Sequence, residues 1–536
     1  MEVRPPAGSV QPPSRSRQPM VGVRLARSPM RVDCSGRLAR EAGPRSRKLA
    51  GAAAPPRPFA GAAQSGGRRA PAYGRLLVAV ATVHAATSRR RRRAPLLASQ
   101  SGGGEGAALA PAEEKHSLSQ VKKYFLFVLF STAIRSFEAG IIASMMPSIK
   151  DSLGLSFAQQ GNIAGSPDYG IVPSGLLAVA VFKRVRAHSL LTTGYFVIGS
   201  VCLAGAFFPS QSSLIVARAI GGLFWGFAAV HYPAWVNKYG PADRKTIWMA
   251  LINAMLLSGI VSGYVVGGIA RATGGATWEF LLMLEGLMMI GCGICGGLFA
   301  PALVEVSRSS AEETSAEAEG QKSEAPRTLA SIKLLCKSRL FLFTVAAGSF
   351  QSGVVGFMLY FITQALAANF GWCPQKIYAI VAGMISVGPI SGILLGAKYL
   401  NSVGGYSDYA NAHKLTVGCA FGSLLCSLCL PFARTSAWLY GLASFGLLIL
   451  GAAPTAAING IAVSAVPDVS HAASGVQFAS QNLAKLIVPA VGGAIIDQIG
   501  LIRGYNLVTV GVVALYAVSA GFAYREALRH SGRQAE

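Results

Sequence analysis

From Tyr124 to Arg525 the chain repeats one unit, a run of roughly twenty apolar residues followed by a short polar or glycine-bearing connection. A run of that length is what a helix needs to cross a hydrocarbon core about 30 Å thick. The pattern predicts spans near 124–147, 161–182, 189–209, 213–236, 246–270, 278–300, 340–367, 377–400, 413–433, 436–459, 472–497 and 503–525. Gly and Pro recur inside these runs, as membrane helices tolerate. One long interruption, 304–338, is polar, acidic at first and then basic, and it divides the twelve spans into six and six.

The charges of the connections give the spans a direction. Cations gather at the termini and in the even-numbered connections, at Lys122 and Lys123, at Lys183, Arg184 and Arg186, at Lys238, Arg244 and Lys245, and at Arg525 and Arg529. Odd-numbered connections hold one cation each (Lys150, Arg271, Lys376, Arg434 and Arg503), and the turn between spans 3 and 4 holds none. The positive-inside rule then places both termini and the central loop on the cytoplasmic side. The connection between spans 10 and 11, which lacks Lys and Arg, is the exception.

Composition agrees with a membrane protein, with 52% hydrophobic and 13% charged residues in 536. The formal charge of +25 suggests a nucleic-acid binder until it is mapped. Residues 1–100 carry 20 of the 48 Lys/Arg and three acids (Glu2, Asp33 and Glu41), so the main body carries a small excess and nucleic acid is not an expected partner. Residues 1–118 are rich in Arg, Ala, Pro, Ser and Gly without hydrophobic periodicity, which predicts a disordered extension. Being Arg-rich and poor in acids, that extension has the composition of a plastid or mitochondrial transit peptide, with a processing region in the run at 88–106. An unstructured cytosolic tail is the alternative. The CxxC pairs Cys292/Cys295 and Cys426/Cys429 lie inside apolar runs without ligand partners nearby, so they are expected to be packing residues.

Twelve spans split six and six, with both ends on one side, resemble the major facilitator superfamily. Local motifs carry the resemblance further. The stretch from Pro147 to Gly161 is similar to the superfamily's link between helices 1 and 2, and "RAIGGLFWG" (218–226) resembles its Arg-x-x-x-Gly-x-x-x-Gly pattern in helix 4. Gly259, Gly263 and Gly267 in span 5 stand one turn apart, a spacing that allows close helix contact. "QQGNIAGSPDYG" (159–170) resembles helix 2 of organic-anion-transporting polypeptides, and residues 465–500 resemble helices 10–11 of that branch and of the spinster-like lipid transporters. The chain lacks the large cysteine-rich loop of the organic-anion branch. At the gating loop after span 2 it carries Lys183, Arg184 and Arg186 where the superfamily's Gly and Asp-Arg would stand, which puts an acid-based latch in doubt.

The resemblance implies an all-α major facilitator fold of two six-helix pseudo-repeats, with a cavity at membrane mid-depth lined by helices 1, 4, 7 and 10. Ionisable residues at that depth are rare and usually functional. Glu138 in span 1 matches a register where related families place a proton-coupling acid, and Arg135 lies three residues earlier on the same helical face. If the two pair, Glu138 stays ionised; if Arg135 meets substrate, Glu138 is freer to titrate. Asp168 and His231 are further proton candidates. Arg218 matches a family position and has the fork to hold a carboxylate or phosphate, or else it snorkels to the interface. Lys485 suits an anionic substrate or serves as counter-ion to Asp168 or Glu285. Gln351, Tyr360, Gln364, Asn459, Gln477 and Asn482 can hydrogen-bond substrate or tie helices together, and Glu285 on span 6 is expected to be structural.

These features predict a monomeric multi-pass secondary transporter without a cofactor. Its expected substrate is a small organic anion or an amphipathic, lysolipid-like molecule, with protons as candidate coupling ion. A sugar or other metabolite facilitator, and a solute sensor without flux, are the alternatives. No Walker-type nucleotide loop, HExxH or GxSxG occurs in the sequence, so neither ATP-driven transport nor a membrane-embedded hydrolase is expected.

Overall fold

The computed structural model describes residues 117–241, 244–306, 333–405, 408–466 and 469–535, all within one compact unit. The expected transit peptide, its processing run at 88–106 and most of the central loop lie outside the described residues. The first half comprises α1 (Leu118–Leu153), α2a (Phe157–Gly165), α2b (Asp168–Arg184), α3 (Ala187–Phe207), α4 (Gln211–Tyr239), α5 (Lys245–Thr273) and α6 (Trp278–Leu298), followed by a single turn, Pro301–Val304. The second comprises α7 (Arg339–Phe370), α8 (Pro374–Ser402), α9 (Tyr409–Cys429), α10a (Ala437–Ala452), α10b (Thr455–Ser464), α11 (Ser470–Ile499) and α12 (Leu501–Ala535). Among the described residues, eleven helical stretches are long and apolar enough to cross a membrane. The remaining predicted span is the pair α2a and α2b.

Two of the predicted spans are therefore divided, one in each half. In both, a proline stands at the division, Pro167 before α2b and Pro454 before α10b. Proline supplies no backbone donor, and its ring crowds the carbonyl one turn back. Proline alone does not decide the matter, because Pro147, Pro173, Pro233, Pro389 and Pro489 all stay inside continuous helices. Within a bilayer, freed backbone groups must find partners in the protein. At the α10 break, the Gln351 side-chain amide of α7 donates to the Gly451 carbonyl and, at 3.0 Å, to the Thr455 hydroxyl.

Helix starts follow from local chemistry. Ser117 opens α1 with a capping box shared with Gln120, and Gly154, at φ 63°, closes it. Glu305 lies just past the Pro301–Val304 turn, and its carboxylate accepts the Ala187 and His188 amides at 3.1 and 3.3 Å, completing the start of α3 from the other end of the half.

Within the first half α1 packs on α5, α3 on α6 and α2b on α4, while α11 against α2a and α2b, and α8 against α5, join the halves. Large apolar side chains such as Leu394, Leu425, Leu442 and Trp438 point outward, Trp438 being 91% exposed. Such residues are at home against lipid, where tails are as apolar as they are.

The hydrogen bonds between halves gather on the face opposite the chain termini. Gln364 donates to Gln160 at 2.9 Å, Tyr378 donates to the Ser144 carbonyl at 2.8 Å, and Gln375 donates to the Ala272 carbonyl at 3.0 Å. Tyr264 and Thr363 share a hydrogen bond between their hydroxyls. Asp497, near the end of α11, accepts the Phe157 and Ala158 amides at the start of α2a, each at 2.8 Å. One half thus caps a helix of the other.

Candidate functional site

Helix α1 carries Arg135 and Glu138 three residues apart, and the two side chains pair directly. Both are buried, with 6% and 4% of their side-chain surface exposed. Their pairing partners come from two other helices. Arg218 of α4 lies with its Nη1 3.0 Å from the second Glu138 oxygen, and Glu285 of α6 lies 3.7 Å from Arg135 Nη1. One carboxylate, Glu138, therefore sits between two guanidinium groups.

Small residues make this approach possible. A Cβ added at Gly222 would stand 2.0 Å from the Pro167 carbonyl oxygen, and one at Gly263 would stand 2.0 Å from the Phe137 carbonyl oxygen. Helix α4 thus presses against the α2 break and α5 against α1, as small-residue membrane interfaces do. One turn before Gly222, Arg218 is brought onto the break itself, where its Nε donates to the Ser166 hydroxyl at 3.1 Å. Its Nη2 donates to the Tyr360 hydroxyl of α7 at 3.2 Å, which carries the cluster across to the second half.

Asp168 opens α2b just past the break and is buried, with Lys485 of α11 and Arg218 as its charged neighbours. The Lys485 ammonium donates to the Asn482 side chain at 3.2 Å. Of the two counter-ions that the sequence offered for Lys485, Asp168 is its charged neighbour, while Glu285 lies beside Arg135. Arg218 is buried within the bundle, so the snorkelling alternative does not describe it.

The polar candidates separate into two groups. Tyr360 and Gln364 lie between the halves, bonded to Arg218 and Gln160. In the second half Asn459 accepts from Gln477 at 2.6 Å and from Gln481 at 3.2 Å, while the Asn482 amide turns back to the Phe478 carbonyl of its own helix. Gln351 spends its amide nitrogen on the α10 break, as described above.

His231 stands apart from the charge cluster, buried against the Phe182 ring at 5.4 Å. Lys183 and Arg184 end α2b and Arg186 precedes α3, all exposed, and the acid at this corner is Glu305 on the α3 amides. Among the described residues no group of His, Cys, Asp and Glu is placed to hold a metal ion. Sequence reasoning passed over Ser166, Glu305 and Asp497. The last could have been noticed as a lone acid in an apolar helix end, "AIIDQIG".

A guanidinium can hold a carboxylate bidentately, and here two of them already hold one that belongs to the chain.

Comparison with known proteins places these features. The hexuronate transporter of Bacillus subtilis (strain 168) is 26% identical over 411 residues, covering 73% of this chain and 92% of that protein. The D-xylose transporter of Levilactobacillus brevis is 22% identical over 141 residues, 26% of this chain and 31% of that protein. In fold, the chain is similar to a bacterial homologue of the human lysosomal transporter Spinster in an inward-facing, unoccupied conformation, with a TM-score of 0.56 at 13% identity, covering 77% of this chain and 98% of that one. It is also similar to a D-xylose-proton symporter, with a TM-score of 0.59 at 13% identity, covering 75% and 97%. The sequence model of the Major Facilitator Superfamily matches residues 128–489, so this multi-pass membrane protein belongs to that superfamily of transporters.

Proposed function

We propose that the protein is a secondary transporter that carries a small organic anion of the sugar-acid class, together with protons, by rocking its two halves about the Arg135–Glu138–Arg218 cluster. The observation that carries this reading is that two buried guanidinium groups share a single carboxylate. Buried charges are costly unless paired, and a second, mobile carboxylate is the partner this arrangement leaves room for electrostatically. The hexuronate transporter, similar over most of its length, is named for such a substrate, and a hexuronate is both a sugar and an organic anion.

In this reading Arg218 and Arg135 bind the substrate carboxylate, with Glu138 held ionised as the internal anion it competes with. Lys485, beside Asp168, supplies a third cation from the second half. Tyr360, Gln364, Asn459, Gln477 and Asn482 offer hydrogen bonds to hydroxyl groups, whereas Gln351 holds the α10 break. Both termini and the central loop face the cytoplasm, which makes the face sealed by Asp497, Gln160 and Gln364 the outer or lumenal one. Alternating access then requires those contacts to part and the opposite face to close. The basic extension at residues 1–118 is the segment that would direct the chain to an organellar membrane.

A neutral-sugar facilitator is the second reading, favoured by relatives named for xylose and inositol. Proteoliposome uptake distinguishes them. Glucuronate accumulated under an acid-outside gradient, with glucose and a lysophospholipid left behind, is the expected result. Preference for glucose or for the lysophospholipid overturns the anion reading. Saturable glucuronate binding without flux makes the protein a sensor instead.

A further inference from the structure

Glu285 stands out among the buried charges. It is 0% exposed, and neither of its carboxylate oxygens has a hydrogen-bond partner among the described residues. Its nearest cation, Arg135 Nη1 at 3.7 Å, is the same nitrogen that pairs with Glu138. The groups facing it are Arg135 and Glu138 from α1, Cys202 from α3 and, farther off, Arg218 from α4. Cys202 adds no charge while it keeps its own proton.

An ionised carboxylate with no hydrogen bond, sharing its one nearby cation at 3.7 Å with Glu138, is costly in such surroundings. Protonation removes that penalty. Glu138 is in the opposite situation, held by two guanidinium groups that both favour its charged form.

We infer that Glu285 is the proton-binding site of the transporter, taking up one proton for each anion carried, while Glu138 remains ionised. The inference rests on the organic-anion reading above and deepens it. Charge balance supplies the coupling. The charges linked by ion pairs around this site are Arg135, Arg218, Glu138 and Glu285. With Glu285 ionised these four sum to zero and an incoming anion has no net attraction. With Glu285 protonated they sum to one positive charge, which a monoanion neutralises. Proton and anion therefore each strengthen the other's binding, as linkage requires. The proton enters on the Glu285 carboxylate from the more acidic compartment and leaves from the same oxygen once the anion has gone. A buried location off the cavity, on α6, suits a proton site that substrate never touches, since coupling passes through Arg135.

The test uses the full chain in lipid, with glucuronate as the probe, comparing wild type with Glu285→Gln and Glu285→Asp. Expected for wild type is a dissociation constant that rises about tenfold per pH unit on the alkaline side, the signature of one linked proton. Glu285→Gln, which mimics the protonated form, should keep the acid-side affinity at every pH. It should also exchange glucuronate across liposomes but not accumulate it against a proton gradient. Glu285→Asp should restore pH dependence. If Glu285→Gln retains the wild-type pH profile and accumulation, the proposal is overturned. A ligand-free measurement separates this from failure of the substrate reading. The infrared C=O stretch of a buried carboxylic acid should be present in wild type, titrate with pH and be missing in Glu285→Gln. Its absence from wild type overturns the proton site even where glucuronate binds, and its presence without glucuronate binding overturns only the choice of substrate.

Discussion

Arg218 of the first half donates to the Tyr360 hydroxyl of the second at 3.2 Å, while the same guanidinium pairs with Glu138. A single side chain thus joins the buried charge cluster to the boundary between the two halves. Any shift of α7 relative to α4 changes what Arg218 can reach, and anything that binds Arg218 changes the hold of one half on the other.

Tyr360→Phe removes that link and leaves packing almost unchanged. A hydrogen bond to a charged group contributes about 1.5–3 kcal/mol, so apparent glucuronate affinity is expected to weaken by about tenfold or more. Uptake kinetics across a concentration series check this. Equal affinity in mutant and wild type would assign the hydroxyl to spacing alone.

Arg218→Lys keeps the charge but not the planar fork. It is expected to stay folded, with thermal stability near wild type, while glucuronate uptake falls to background. Arg218→Ala leaves Glu138 with one partner in place of two, and breaking a buried pair costs about 3–5 kcal/mol. A clearly lower midpoint in thermal unfolding of the detergent-solubilised protein is expected for Ala and not for Lys.

Lys485→Ala should weaken a sugar acid far more than the corresponding neutral sugar, because the ammonium offers charge in addition to hydrogen bonds. Competition of both compounds against labelled glucuronate provides the comparison. Equal losses for the two would make Lys485 a partner of Asp168 and nothing more.

Asp497→Ala removes the carboxylate that caps α2a from the other half. Loss of a helix cap costs about 0.5–2 kcal/mol, and that loss falls wholly on the conformation with this face closed. A cysteine placed at position 160 should react faster with a membrane-impermeant maleimide in the Asp497→Ala background. An unchanged labelling rate would show that the apolar packing of α11 on α2a closes this face unaided.

Gln351→Leu strands the carbonyl at Gly451 in the α10 break. An unmet buried acceptor costs about 1–3 kcal/mol, so thermal stability should drop even though the substitution is more apolar. Retained stability together with a selective loss of glucuronate affinity would return Gln351 to the substrate.

Hydrophobic run lengths alone were enough to predict the helices and their division into two halves, because a bilayer demands about twenty apolar residues per crossing whatever the neighbours do. The spacing of Gly259, Gly263 and Gly267 likewise announced a tight helix contact, since only small residues let backbones meet, and Gly263 meets the Phe137 carbonyl. The breaks at Pro167 and Pro454 were not legible in this way. Five other prolines sit inside unbroken helices, and each break meets a partner from another span that the sequence does not announce, Arg218 at the Ser166 hydroxyl and Gln351 at the Gly451 carbonyl.

Charge pairing shows the same division. Arg135 and Glu138 lie three residues apart, so their pairing is local and the sequence holds it as a definite possibility. Which carboxylate Arg218 meets, and that Glu285 shares Arg135, depend on how α1, α4 and α6 pack. The sequence by itself determined where the membrane helices run and which buried charges the chain contains, because periodicity and hydropathy are properties of one segment at a time. Only the tertiary structure decided which charges are paired and that the buried Glu285 carboxylate lacks a hydrogen-bond partner among the described residues, because burial and pairing are relations between segments far apart in the chain.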